Sequence, residues 1–369
     1  MLREWIYLIT LAAAMVGQRI LAQDGYEGIW EAFFGHNDVS LTLRQNQDSR
    51  SRTQFEGLEY SALKGLEKSQ LKDDDSELQF EMPFEQGKLK FTGRYSHHEA
   101  RGRFEFLPNA AFVKKLTDMG YKNISGKQLC DLAFCDVKTS FLESIAPLGY
   151  DLSDAKDFSN HGVKAATIRE GQDLGFGPDQ IIEIGTHGVK PKFVKNACAL
   201  GYSVEDAVDF GTHGVSLDVV RRSADLGFNK DEIIDIGTHG VDPQFVSDAK
   251  KEGYPFDDII DFGTHGLDVQ FIHDAHELGF KTSQLIEIGT HGVRPELVKD
   301  LMELGYSLDD AVDFGTHGVR VSFVRTMKPL GFTADQIIQL GTHGIKTAKI
   351  KKMKDAGLSN DQIVDILME

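Results

Sequence analysis

The sequence predicts an α+β chain: a small antiparallel β domain followed by a solenoid-like α-helical array of 26-residue two-helix units. Three observations predict it. Before residue 108, apolar and polar residues alternate with period two, the pattern of a sheet with one buried face. Beyond it, glycines and histidines recur at a fixed interval of 26 residues. Between those marks, apolar residues fall at helical spacing.

Residues 1–22 read as a secretory signal peptide. Arg3 supplies a positive start, Trp5 to Val16 an apolar stretch, and Ile20-Leu21-Ala22 a small-residue cleavage site, with the mature chain starting near Gln23. The apolar run is shorter than the roughly 20 residues a membrane-spanning helix needs, and no span is expected in the mature chain.

Residues 23–107 form the β domain. Val39–Arg44, Leu78–Met82, Lys88–Tyr95 and Arg101–Phe106 alternate as strands. Glu85-Gln86-Gly87 and Ser96 to Ala100 are expected as hairpin loops. Asn46–Arg52 reads as a polar loop and Lys72–Asp75 as a solvated turn. Trp30 is expected in the core of this sheet. His97-His98, with His36, reads as a solvent-facing hairpin tip, with a metal site as the alternative.

Residues 108–148 are degenerate capping repeats. The 26-residue frame places Cys135-Asp-Val where later units have His-Gly-Val, and Gly120-Tyr121 precedes Gly149-Tyr150 by 29 residues. Cys130, Cys135 and Cys198 are expected as small buried core residues, since an exported protein that relies on disulfides usually carries more cysteines in an even number.

Residues 149–369 are the array. Gly149, Gly175, Gly201, Gly227, Gly253, Gly279, Gly305, Gly331 and Gly357 mark one stop per unit, and His161, His187, His213, His239, His265, His291, His317 and His343 mark another. Such a period means stacked units that bury each other's faces. In the unit around Gly201, the first helix runs from about Pro191 to Leu200, with Phe193, Val194, Ala197 and Leu200 on one face. Gly201 follows as the left-handed stop. Ser203 opens the second helix with Asp206 in a capping box, Ala207, Val208 and Phe210 face inward, and Gly214 ends it. A 52-residue period is superposed: Tyr and Phe alternate after the first stop, Phe and Ile alternate before GTHG, and Pro191, Pro243 and Pro295 open every second first helix.

The repeated histidines are assigned to helix closure. Each stands in the last turn before a glycine, where a polar or cationic ring meets unpaired carbonyls. A carboxylate four residues earlier, as in Asp209 with His213, is expected to support the helix as an acid–base pair. A metal array does not fit, because successive rings lie a helix diameter apart whereas zinc ligands share one ion at about 2.0–2.1 Å. No Ser or Cys recurs with the Asp–His pair, so no triad and no enzyme is expected. No cofactor motif is present. GTHG sits at a helix C-terminus, the wrong end for a phosphate, and the net charge of −17 opposes nucleic acid and anionic lipid.

Gly87-Lys-Leu-Lys-Phe-Thr-Gly93, then Arg101-Gly-Arg-Phe-Glu-Phe-Leu-Pro-Asn109, runs straight into the His-Gly-Val repeats. This arrangement resembles the exported region of uncharacterised bacterial envelope proteins. Some of these are joined to antirepressor-type, β-lactam-sensor-like membrane metallopeptidases. The resemblance covers most of the mature chain on short motifs. It implies a secreted or periplasmic module; the protease part has no counterpart here, so proteolysis is not implied. The expected role is a non-enzymatic scaffold that binds a protein or another envelope component. The alternative is a pH- or cation-responsive module built on the repeated acid–His pairs.

Overall fold

A computed structural model describes residues 26–45 and 52–369. The expected signal peptide, and the polar loop as far as Ser51, lie outside the described residues. The described chain divides into two compact units, one ending at Lys195 and the other starting at Asn196. The first holds a six-stranded antiparallel sheet and the first helices, and the second holds helices alone.

The sheet consists of β1 (Tyr26–Phe34), β2 (Asp38–Gln45), β3 (Arg52–Glu59), β4 (Glu77–Pro83), β5 (Gly87–Ser96) and β6 (Glu99–Pro108), in the order β3-β2-β1-β6-β5-β4. Four of these were legible as strands; β1 and β3 were not singled out, and Arg52 begins β3 instead of closing a loop. One face carries Trp30, Leu41, Leu43, Phe80, Leu89, Phe91, Phe104 and Phe106, all nearly or wholly buried. The sheet curls over this face until Lys64, beyond the end of β3, bridges Glu81 of β4 through backbone hydrogen bonds of 2.7 and 2.8 Å. That bridge covers part of the edge of β4, which would otherwise offer unpaired backbone groups.

Trp30 sits at the centre as expected. Its ring meets Phe80 and Phe91 edge-on, at 5.3 and 5.8 Å between centroids. Its indole N–H donates to the Thr92 carbonyl at 3.1 Å, so the buried ring leaves no polar atom unpaired. Room for the ring comes from the Gly93–Gly102 cross-strand pair. His97 and His98 occupy left-handed backbone, φ 50° and 68°, in the two-residue turn between β5 and β6.

The capping repeats are packed onto the sheet. Helix α1 (Ala110–Asp118) is followed by α2 (Gly126–Phe134) and α3 (Thr139–Ile145). Phe134, at the end of α2, meets Tyr26, Phe55 and Phe84 edge-on. The buried Gln86 side chain in the β4–β5 turn donates to the Val137 carbonyl at 2.6 Å, and the Glu85 carboxylate accepts from the Thr139 backbone and hydroxyl. Cys135 and Asp136 take the frame positions of His and Gly, and Asp136 has φ 48°. Of the three cysteines only Cys130 is fully buried; Cys135 and Cys198 are half-buried, a correction to the core assignment of all three.

From Leu152 to Met368 the chain alternates first and second helices of seven to ten residues, two first helices ending in a 3₁₀ turn, and no strand occurs in the repeats. Pro191, Pro243 and Pro295 are the first residues of their helices. The double period is a packing alternation. Tyr202, Tyr254 and Tyr306 meet Phe210, Phe262 and Phe314 edge-on at 4.9–5.1 Å. In the intervening units Phe228, Phe280 and Phe332 are buried with Ile236, Ile288 and Leu340 at the position before GTHG. A bulkier Tyr–Phe pair in one unit thus alternates with a smaller Phe–Ile or Phe–Leu pair in the next.

Adding a methyl group at Gly93 would bring it to 2.6 Å from the Trp30 ring and 2.5 Å from the Arg101 carbonyl oxygen. Gly93→Ala is therefore expected to destabilise the sheet by about 1–3 kcal/mol. A thermal melt followed by Trp30 fluorescence checks this, and an unchanged midpoint contradicts the packing described.

Candidate functional site

The GTHGV element is the most regular polar feature of the chain, and each of its residues has a structural task. The first glycine sits where the previous unit's Val or Leu presses on the helix. A Cβ at Gly237 would lie 2.6 Å from a methyl of Val215. The same holds for Gly185 against Val163, Gly263 against Val241, Gly289 against Leu267 and Gly315 against Val293. Glycine here permits a backbone approach that any side chain would block.

The threonine hydroxyl donates to a carbonyl of its own last turn, and the partner follows the double period. Thr186, Thr238, Thr290 and Thr342 reach back four residues to an isoleucine carbonyl, and the last three also touch the carbonyl three residues back. Thr212, Thr264 and Thr316 reach back three residues to an aspartate carbonyl. The second glycine has φ between 64° and 74°, the left-handed stop. The final residue turns back into the core; Val215 and Val319, for example, are each 2% exposed.

The histidines close their helices through the ring. In all eight, Nδ1 lies 2.8–2.9 Å from the carbonyl oxygen four residues earlier. A carbonyl can only accept, so Nδ1 carries the proton and Nε2 is turned away from the bond. This corrects the expected acid–base pair: the ring bonds the main chain of the acidic residue, not its carboxylate. The Asp209 carboxylate instead takes Lys230 at 2.9 Å. His343 makes the same bond to Gln339, where no carboxylate exists. All eight rings are exposed. Among the described residues, no group of three His, Cys, Asp or Glu side chains could hold a metal ion.

The stop glycines behave uniformly as well. Gly175, Gly201, Gly227, Gly253, Gly279, Gly305 and Gly331 all have positive φ, from 77° to 100°. The predicted positions therefore form a framework and not a converging site.

Two groups outside the repeat frame are chemically distinctive, and neither was singled out from sequence. In helix Val269–Glu277, His273 places Nδ1 at 3.0 Å from Glu252, and His276 lies 3.9 Å from the same carboxylate oxygen. The Glu252 hydrogen bond holds the His273 pKa above its ordinary value of 6.5. The off-frame spacing of these two histidines was the signal available in the sequence. The second group is the outer face of the sheet, where Arg44, Arg52, Arg94, Arg101 and Arg103 gather around a shallow groove. Its signal was the arginine-rich outward positions of strands β5 and β6.

No protein-family model matches this chain, and no curated protein is significantly similar to it.

The capping geometry ranks three substitutions. His213→Asn removes one exposed neutral hydrogen bond and is expected to cost no more than about 1 kcal/mol. Gly214→Val forces a β-branched residue to positive φ, at about 1–3 kcal/mol. Gly237→Ala drives a methyl into Val215, at a similar cost, and Val215→Ala in the same chain should recover part of it. Thermal melts give the order, with zinc and chelator leaving it unchanged. A His213→Asn loss that exceeds both glycine variants would overturn the assignment.

Proposed function

We propose that the chain is a non-enzymatic exported scaffold that binds a protein or another component of the bacterial envelope. The observation that carries this reading is a division of labour in each unit. The Thr and His side chains of GTHG are engaged with their own backbone, while an exposed row at the first-helix N-termini changes from unit to unit. In the second compact unit that row reads Ser216, Asp242, Asp268, Arg294, Arg320, Lys346, every member exposed. It passes from caps at Ser216, Asp242 and Asp268 to Arg294, Arg320 and Lys346, whose side chains make no cap. A framework held constant under a variable exposed row suits recognition along a stack of units. It does not suit catalysis, which needs one preorganised constellation.

The test uses the purified full chain cross-linked to an envelope fraction. Replacing Arg294, Arg320 and Lys346 by alanine is expected to remove captured components that survive His213→Asn. Loss with the histidine variant alone would reject the reading. Sequencing the N-terminus of the protein from its native host tests export, and an intact Met1 in the cytosolic fraction would reject it.

A pH-responsive role is favoured by one local observation, the His273–Glu252 pair. Asp274 and Glu277 on the same helix add to the field that favours the charged ring. The folded pKa lies above the unfolded value, so the contribution to stability is complete below about 6.5. It is lost as pH rises through the folded pKa. His273→Asn is therefore expected to melt below wild type at pH 5.5 and to converge with it at pH 9. A constant difference across that range would exclude the pair as a pH-linked contact.

A further inference from the structure

The outer face of the sheet breaks two rules that govern exposed strands. Like charges stand directly opposite each other: Arg44 faces Arg52 and Arg94 faces Arg101, pairs that ordinarily destabilise a sheet. Arg44 has Glu31 at 3.3 Å and Arg94 has Glu77 at 3.7 Å. Arg101 and Arg103 have no carboxylate within ion-pair distance among the described residues. Two apolar side chains point outward from β1 into the same face, Ile29 at 40% and Phe33 at 55% exposure. This arginine-rich face belongs to a chain of net charge −17.

A shallow groove crosses this face; its lining includes Thr42, Glu31, Phe33, Glu99, Arg101 and Arg94, with Arg52 and Gln54 at one end. Gln54, Thr42, Glu31, Arg101 and Arg94 form one cross-strand row over five neighbouring strands. At about 4.8 Å per strand the row spans about 19 Å.

We propose that this groove binds a carboxylated polysaccharide laid across the strands. The inference rests on the non-enzymatic binding reading and names a ligand class for it. Arginine forks match carboxylates bidentately, and two stand side by side in Arg94 and Arg101. Glu31, in the middle of the row, opposes a polymer whose whole backbone is anionic, such as polyphosphate. It suits a chain that presents sugar hydroxyls between its carboxylates, because a carboxylate only accepts hydrogen bonds. Gln54 and Thr42 add polar groups at the end where Arg52 donates to the Thr42 hydroxyl. Phe33 offers an exposed aromatic face for the apolar face of a sugar ring. A groove, unlike a plane, follows a linear chain and does not follow a lipid surface.

Calorimetric titration of the full chain with oligogalacturonate at low ionic strength is the test. Neutral malto-oligosaccharide, polyphosphate and phosphatidylglycerol vesicles serve as comparison arms. Oligogalacturonate is expected to bind, more weakly as salt rises. Arg94→Gln with Arg101→Gln, and separately Phe33→Ala, should each weaken binding about tenfold. The double variant should melt close to wild type, because relief of the opposed arginines offsets the exposed Glu77 and Glu31 contacts it removes, which separates lost binding from lost fold. Absence of binding, equal affinity in the double variant, or tighter binding of polyphosphate or vesicles would overturn the groove assignment and leave the scaffold reading standing. Shortening of the oligogalacturonate during incubation would overturn the non-enzymatic reading instead.

Discussion

Within each compact unit the repeats depend on one contact, the side chain that ends one His-Gly-Val or His-Gly-Leu element pressed against the first glycine of the next. Val215 on Gly237 and Val293 on Gly315 show why the period is strict. A helix turns about 100° per residue. One residue added to a second helix would rotate its glycine away from the incoming valine and bring a side chain in its place. Helix length must therefore be fixed at both ends, and it is. The start is set by a side chain that accepts from the first turn, as in Ser203, Asn229, Ser307 and Thr333. The end is set by the histidine ring on the carbonyl and a left-handed glycine. Capping in this protein serves register as much as helix stability.

The joint between sheet and repeats shows the same element put to another use. In the frame of the array, Ala133, Phe134, Cys135 and Asp136 stand where later units have Gly-Thr-His-Gly. Ala133 is buried, with no preceding valine to require a glycine. Phe134 replaces the threonine and meets Tyr26, Phe55 and Phe84 instead of closing a carbonyl. Asp136 still takes the left-handed backbone that ends the helix, at some cost for a residue with a Cβ. The motif's stop is retained while its inward contact is redirected, so the unit that caps the array also closes one end of the sheet.

What the sequence made legible follows from what is periodic or alternating. The 26-residue units, their caps and the buried Trp30 could all be read, because each leaves a spaced or patterned trace. Strand β1 was hidden by its own chemistry. It alternates perfectly in burial, but Ile29 and Phe33 are apolar on the wet side and Gly28 is small on the dry side, so the letters do not alternate. Strand β3 is a mostly polar edge strand, with Gly57 at φ 66° and a register shift opposite Val39 and Leu41. The partner of the histidine ring was also out of reach. Four residues earlier stand both a carbonyl and a carboxylate, and only geometry chooses between them. The Glu252–His273 contact joins residues 21 apart in different units, a distance at which no local pattern speaks.

The acidity of the chain has an origin that bears on how its surfaces are read. Second helices begin with carboxylates in their first turn: Glu205 and Asp206, Asp231 and Glu232, Asp257 and Asp258, Asp309 and Asp310. That is where a helix dipole and its unpaired N–H groups favour negative charge. Repeating the unit repeats the charge. Much of the net −17 is thus a consequence of how short helices are started, and carries no information about a partner. The same argument gives the arginines of the sheet a different weight. No helix terminus accounts for Arg101 or Arg103, neither has a carboxylate within ion-pair distance among the described residues although Glu31 stands opposite Arg101, and strand pairing is made less favourable by Arg94 facing Arg101. Charge that the fold explains is weak evidence of recognition. Charge that the fold opposes points to something outside the chain that satisfies it.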